Sequence, residues 1–318
     1  MKNIYSNIFP YNKKTLNKMI TILKKGHVVG LPTETVYGLA GNAYSKKSVK
    51  KIYSLKKRPA KNPLIIHYLN YQAIQNDAVI NDDFLKLYKK LCPGPITFIL
   101  KKKINSKINS SALGRLKTVA VRFPSHKITR NLLNKISFPL AMPSANISSH
   151  VSPVTAGHVA EEFKSKIKFI LNGGRSKVGI ESTVVDLTGK PSILRPGIID
   201  TKKINKILKK KIGIKNKIQK IRSPGMFGRH YSPGIPIFLN KIKNSKNNAL
   251  ITFGKGYKNK KNHFNLSERS NLTEAASNLY KTLRTIKKLN YKMINVVKIP
   301  NKGPGIAIND RLKRASYR

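Results

Sequence analysis

The chain has 318 residues, 40% of them hydrophobic, with 64 basic against 12 acidic residues and a formal net charge of +52. That length and apolar content suit about two domains and exclude wholesale disorder. One cysteine, Cys92, excludes a disulfide scaffold and an all-cysteine zinc site.

Leu16, Met19, Ile20 and Leu23 share one face of a helix over 13–25, and Gly26 follows where a C-cap glycine is expected. Residues 27–31 read as a buried strand closed by Pro32, and 33–38 as a loop at its end. A helix over 46–56 stops near Arg58-Pro59. Strand 63–69, helix 82–91 and strand 96–100 come next. The strand 118–123 alternates, and helix 126–135 leads to a short strand ending at Ser144-Ala145-Asn146. Helix 155–163, strand 167–171, the turn Asn172-Gly173-Gly174 and strand 182–187 complete an α/β domain expected over 12–208. Residues 209–235 change character, with a lysine run and then Pro and Gly punctuation, so a linker is expected. Over 236–318 the rhythm restarts. Strand 249–253, a helix carrying Leu272, Ala275, Ala276, Leu279, Leu283 and Ile286, strand 293–299 and a last helix predict a small βαβα unit.

No apolar run approaches the ~20 residues of a membrane span. The opening MKNIYSNIFPYNKK lacks a signal-peptide core, so a cytoplasmic protein is expected. The charge points to an anionic partner. Yet 51 of the basic residues are lysine and only 13 are arginine. Asparagine and isoleucine are also abundant, and the lysines are scattered rather than gathered in an arm or tail. AT-rich codon usage accounts for that pattern as well as a nucleic-acid surface does.

P-loop, dinucleotide-binding and nucleophile-elbow motifs are absent from the sequence, histidine pairs lack zinc spacing, and carboxylates are sparse. What remains is polar clusters at strand ends: Pro32 to Gly38, Lys56 to Pro59, and Pro143 to Asn146. In open α/β sheets ligands gather outside strand ends, where arginine forks pair with carboxylate or phosphate. Each cluster alone has a plainer reading. Thr33-Glu34-Thr35 suits a capped turn, Lys56 and Arg58 oppose a helix dipole, Ser144 and Asn146 suit a turn, His67 suits a core histidine, and Tyr231 suits an apolar anchor. Gly254-Lys255-Gly256 is a bare glycine turn, a weak phosphate signal.

Taken together and in order, PTETVYG, K-x-R-P at 56–59, NPLIIH, TVAVRFP, PSAN and GIESTVVD…ILRPG closely resemble the L-threonylcarbamoyladenylate synthases, which have a YrdC-like catalytic domain. SPGMFGRHYSPG and the terminal AINDRLKRAS resemble the longer, two-domain form. The resemblance implies a twisted mixed sheet flanked by helices over 12–208, a linker or lid over 209–235, and a small Rossmann-like α/β domain over 236–318. It implies synthesis of threonylcarbamoyl-AMP and pyrophosphate from ATP, L-threonine and bicarbonate or CO2. The product serves the adenosine beside the anticodon (position 37) in tRNAs reading ANN codons, through a separate transferase partner. By the family's pattern Thr35, His67, Arg122, Met142 and Ser182 hold threonine. Lys56, Arg58, Asn62, Thr118, Ser144, Asn146, Ser152, Arg195 and Tyr231 surround ATP, and Lys56 and Arg58 stabilise phosphate charge as pyrophosphate leaves. Mg2+ travels with the ATP phosphates without a protein-built site. Tyr231 closes over the nucleotide, while Glu34 and Glu181 orient loops. The competing reading is a non-catalytic RNA- or tRNA-binding protein of the same fold. A carbamoyl-transfer relative ranks below it, because such an enzyme carries zinc-finger and acylphosphatase-like segments.

Overall fold

The structure, a computed structural model, describes residues 3–215, 230–242, 245–257 and 260–316. Most of the expected linker, 216–229, therefore lies outside the described residues. In chain order the first unit contains β1 (Ile8–Pro10), α1 (Lys13–Lys24), β2 (Val29–Leu31), β3 (Gly38–Asn42), α2 (Lys46–Lys56), β4 (Ile65–His67), α3 (Asp82–Leu91), β5 (Ile96–Lys101), β6 (Thr118–Arg122), α4 (Lys127–Leu133), β7 (Leu140–Ala141), α5 (Ala156–Phe163), β8 (Ile170–Asn172), β9 (Thr183–Asp186), β10 (Ser192–Arg195) and α6 (Thr201–Leu208). These strands form a ten-stranded mixed sheet in the order β1-β8-β2-β3-β7-β4-β6-β5-β9-β10. Parallel pairs such as β4 with β6 alternate with antiparallel ones such as β5 with β6.

Helices form where caps and apolar spacing agree. Asn12 caps α1 in a box with Thr15, and Leu16, Met19 and Leu23 bury its inner stripe. Ser45 caps α2, whose buried face runs Val49, Ile52 and then Lys56. A cation thus occupies the last position of an apolar stripe. The same geometry that docks the helix carries the Lys56 ammonium under the sheet's polar end. Lys57, at φ 47°, ends the helix in the left-handed region and turns Arg58 back toward the sheet.

The second unit has β11 (Ile237–Leu239), β12 (Ala249–Thr252), β13 (His263–Asn265), α7 (Leu272–Lys288), β14 (Ile294–Val296) and α8 (Pro304–Ser316). Its four strands are parallel, in the order β11-β14-β12-β13. This corrects the expected two-strand βαβα unit. β11 and β13 escape because proline or polar residues break the apolar run, Pro236 just ahead of Ile237–Leu239 and His263 and Asn265 around Phe264. β1, ahead of the expected start at residue 12, escapes for the same reason, and β3 escapes because its Gly-Leu-Ala-Gly-Asn sequence reads as a loop.

The two units share a core. Val36, Val151, Val154 and Ile180 of the first pack with the α7 and α8 stripes of the second. Gly179, at φ +76°, lies so close to α7 that an added Cβ would sit 2.5 Å from the Ser277 backbone. Among the described residues no helix is long and apolar enough to cross a membrane.

Candidate active site

Strand alternation places Thr118, Ala120 and Arg122 on one face of β6. The register sets His67 of β4 and Thr97 of β5 on either side of Arg122. Ser182, just ahead of β9, joins this row through a 2.7 Å hydrogen bond between its hydroxyl and that of Thr97. Beneath them Ile65, Ile99, Ala120, Val184 and Leu194 form a small apolar floor. Thr118 stands at the far end of the strand, ~13 Å from Arg122.

Over this face lies a cleft lined by Arg58, His67, Arg122, Met142, Ser144, Arg195 and Tyr231, with Thr33, Glu181 and His230 among its other walls. Its enclosed space is only about 40 Å³, room for little more than a few waters. Seven of the residues expected at the site thus meet at one cavity. Thr35, Lys56, Asn62, Thr118, Asn146, Ser152 and Ser182 are not part of its described lining, and several of them support those that are.

Lys56 Nζ donates to the carbonyls of Ser144 and Asn146, each at 2.5 Å. Burial, and then the neighbouring Arg58, hold its pKa well below the ordinary lysine value, while Glu162 and Glu181 oppose that shift. In this state Lys56 shapes the Pro143–Asn146 turn rather than entering the cavity. Arg58 donates from Nε to the Asn62 carbonyl at 2.9 Å, and through one terminal nitrogen to Asn62 Oδ1 at 2.5 Å and the Pro63 carbonyl at 2.8 Å. Asn62 therefore acts by fixing that guanidinium fork.

Arg122 donates to Glu34 at 2.7 Å and to the Thr35 hydroxyl at 2.8 Å, and Glu34 also accepts from the Ser125 amide at 3.1 Å. The Arg122 Nε is buried with no hydrogen-bond partner, an expensive arrangement unless something completes it. Burial, then Arg122, push the His67 pKa well below the ordinary histidine value, so its imidazole is neutral at pH 7. Arg195 donates to the Ser182 carbonyl and hydroxyl, both at 3.1 Å.

Glu181 accepts from the Ser152 hydroxyl at 2.6 Å, the Tyr280 hydroxyl at 2.7 Å and Arg311 Nε at 2.9 Å. Burial opposes its ionisation, but Arg311, Arg195 and the two hydroxyls outweigh burial and bring its pKa down to about 2. Tyr231, 1% exposed and at φ 64°, stacks on Tyr280 at 5.7 Å beneath the Arg311 guanidinium at 5.0 Å, with its own hydroxyl unpartnered. Tyr231 thus sits as an aromatic anchor against the second unit and also lines the cavity. Sequence reasoning missed Thr97, Glu162, His230, Tyr280, Arg284 and Arg311. Arg311 carried a signal, since it interrupts the α8 stripe of Ala307, Ile308, Leu312 and Ala315.

Residues 21–197 match the Sua5–YciO–YrdC family model, described as telomere recombination, and residues 199–316 match that of the threonylcarbamoyl-AMP synthase C-terminal domain. A threonylcarbamoyl-AMP synthase of Pyrococcus abyssi is 36% identical, with 92% of each chain covered. That of Bacillus subtilis is 32% identical over 96% of this chain and 94% of its own. The crystal structure of P. abyssi Sua5 complexed with L-threonine superposes with a TM-score of 0.89 at 33% identity, covering 97% of both chains.

Proposed function

Because the chain belongs to the threonylcarbamoyl-AMP synthase family, we propose that it makes threonylcarbamoyl-AMP and pyrophosphate from L-threonine, bicarbonate or CO2, and ATP. The observation that carries this reading is the charge balance of the cleft. Arg58, Arg122 and Arg195 line it, with Glu34 offsetting Arg122 and Glu181 offsetting Arg311, so the four arginines outnumber the two carboxylates beside them. The surplus positive charge suits a substrate carboxylate together with a triphosphate.

Threonine sits at the Arg122 end. Its carboxylate meets the unpartnered Nε, with Thr35, His67, Ser182 and the Met142 backbone around the rest of the molecule. The neutral His67 adds a polar contact without a competing charge. The threonine nitrogen, as the free amine, attacks the carbon of bicarbonate or CO2, forming a carbamate; from bicarbonate water is lost, and from CO2 the nitrogen gives up a proton to solvent. A carbamate oxygen then attacks the α-phosphorus of ATP, the bond to the bridging oxygen breaks, and pyrophosphate leaves. Arg58 and Arg195 oppose the charge that builds on the phosphates, and fixed cations need no reorganisation at that moment. Asn62, Thr118, Ser144, Asn146, Ser152 and Tyr231 bound the nucleotide. Lys56 contributes by holding the turn that carries Ser144 and Asn146, or by swinging from the two carbonyls onto a phosphate.

The ATP enters as its magnesium complex, with phosphate oxygens and water as the ion's main ligands. The engagement of Glu34 and Glu181 by arginine supports this. Among the described residues no group of three or more His, Cys, Asp or Glu could hold a metal ion. We place the reaction in the cytoplasm, with the product handed to a transferase that modifies tRNA at position 37; direct tRNA contact through the lysine-rich surface is secondary. The division into a catalytic unit ending near 208, which β1 extends back from residue 12 to Ile8, a lid over 209–235 and a small unit over 236–318 is part of the same proposal.

The decisive assay is threonine- and bicarbonate-dependent pyrophosphate release from MgATP, with the nucleotide product identified by mass. Absence of threonylcarbamoyl-AMP would leave the RNA-binding reading standing in its place.

A further inference from the structure

The loop over 147–152 borders the cleft without contributing a reacting group, yet it is held with unusual economy. A single carboxylate, Glu162 on α5, accepts from the Ile147 amide at 3.0 Å, meets His150 Nδ1 at 2.7 Å and accepts from Arg284 of α7 at 3.1 Å. Arg284 in turn donates to the Val151 carbonyl and, at 3.4 Å, to that of Ser152. The loop is therefore gripped by an acid of the first unit and a base of the second, with side-chain exposures of only 9% and 10%.

What the loop carries gives this grip a purpose. The Ser148 amide donates to the Lys56 carbonyl at 2.8 Å. The Ser149 carbonyl accepts from the Ser232 amide at 2.8 Å, one residue beyond Tyr231. The Asn146 side-chain amide donates to the Ile147 and His150 carbonyls at 2.7 and 2.9 Å, which leaves its Oδ1 buried without a partner. Ser152 is tied to Glu181. These contacts reach Lys56, Asn146, Ser152 and, through Ser232, the neighbour of Tyr231, all on the nucleotide end of the cleft. The threonine end rests on β4, β6 and the Thr33–Val36 turn; the hydrogen bonds of Glu162 go elsewhere, and the loop meets this end only through the apolar cluster that joins Val151 to Val36.

We propose that Glu162 is a positioning residue for ATP: with His150 and Arg284 it fixes the 147–152 loop, and so sets nucleotide affinity independently of threonine affinity. The inference rests on the ATP-binding reading above. Its electrostatics agree. Burial disfavours the Glu162 carboxylate, but the His150 hydrogen bond and Arg284 bring its pKa down to about 2, so the clamp is charged at neutral pH.

The test uses the full chain and two titrations by calorimetry, one with α,β-methylene-ATP plus Mg2+ and one with L-threonine. Glu162→Ala is expected to weaken the nucleotide at least ~10-fold, the cost of one charge-assisted hydrogen bond, with threonine within twofold. His150→Ala, at a half-exposed position that leaves the fold intact, is expected to shift the nucleotide ~3-fold in the same direction. Glu162→Gln, which retains acceptor capacity, is expected to fall between wild type and Glu162→Ala. Amide hydrogen exchange over 147–152 is expected to quicken in the same rank order. Equal losses for nucleotide and threonine would reduce Glu162 to a general structural role and overturn the proposal. So would unchanged nucleotide affinity in folded Glu162→Ala. If Glu162→Ala does not fold, unchanged affinity and unchanged exchange in His150→Ala overturn it instead. Wild-type protein that makes no threonylcarbamoyl-AMP refutes the functional reading, while loop exchange still judges the clamp.

Discussion

Replacing Arg311 tests how the second unit is attached to the catalytic face. Its guanidinium is fully buried and holds Glu181 at 2.9 Å, Asp310 at 2.6 Å and the Pro196 carbonyl at 3.0 Å. Arg311→Met keeps the apolar stem but leaves Glu181 buried and short of its main counter-charge. Breaking one partner of such a pair costs about 3–5 kcal/mol. The acid's own titration gives a similar figure. A carboxyl moved from 4.5 to about 2 corresponds to about 3 kcal/mol of native-state preference for the ionised form. The sign follows from the depressed folded pKa: this stabilisation is full above pH 4.5 and is lost as pH falls toward 2. Urea denaturation of wild type, Arg311→Met and the double variant Arg311→Met/Glu181→Gln at pH 6.5 and pH 3 reads both effects. The single variant is expected to lose about 3 kcal/mol at pH 6.5, and the double variant to recover much of it, since a neutral pair avoids the stranded charge. Between pH 6.5 and pH 3 the wild type is expected to lose about 2 kcal/mol relative to the double variant, which lacks the titrating acid. A single variant within about 1 kcal/mol of wild type, with an unchanged pH dependence, would refute this account.

Arg58→Ala is expected to lower turnover at least ~100-fold with folding preserved, checked by pyrophosphate release and circular dichroism. Tyr231→Phe removes a hydroxyl that is buried and unpartnered; a melting temperature equal to or above wild type is expected, with weaker ATP binding in calorimetry. Gly179→Ala drives a Cβ into the Ser277 backbone and demands a positive φ. It is expected to loosen the contact between the units, read as faster cleavage by limited proteolysis near residue 178 and a loss of at least ~1 kcal/mol in stability.

The strong helices were legible from their apolar spacing. The stripes Leu16 to Leu23 of α1 and Leu272 to Ile286 of α7 could be read directly, and the structure adds the caps, with Asn12, Ser45 and Asn81 each accepting from the first turn of α1, α2 and α3. β1, β11 and β13 were invisible because proline or polar residues break their apolar runs, whereas the equally short β2 and β4 sit in continuous ones, and a ten-stranded order made largely of non-consecutive neighbours cannot follow from local pattern. The cleft residues were legible as family motifs, but their present roles were not. Nothing in K-x-R-P says that Lys56 grips two carbonyls while Arg58 faces the cavity. The hidden partners Glu162, Arg284 and Arg311 lie far along the chain, on helices whose stripes read as ordinary core. A charged residue inside such a stripe was the one usable clue.

The small size of the cleft has a kinetic consequence. The space a water can reach in the cleft is about 40 Å³, small beside a nucleotide, so ATP binding there would draw on a form in which Tyr231 has moved. The observed ATP dissociation constant then equals the intrinsic one divided by the open fraction. Each 1.4 kcal/mol that favours the shut form weakens apparent affinity about tenfold without altering a single nucleotide contact. Tyr231 packs between Tyr280 and Arg311, so any such bias would be set partly by residues of the second unit.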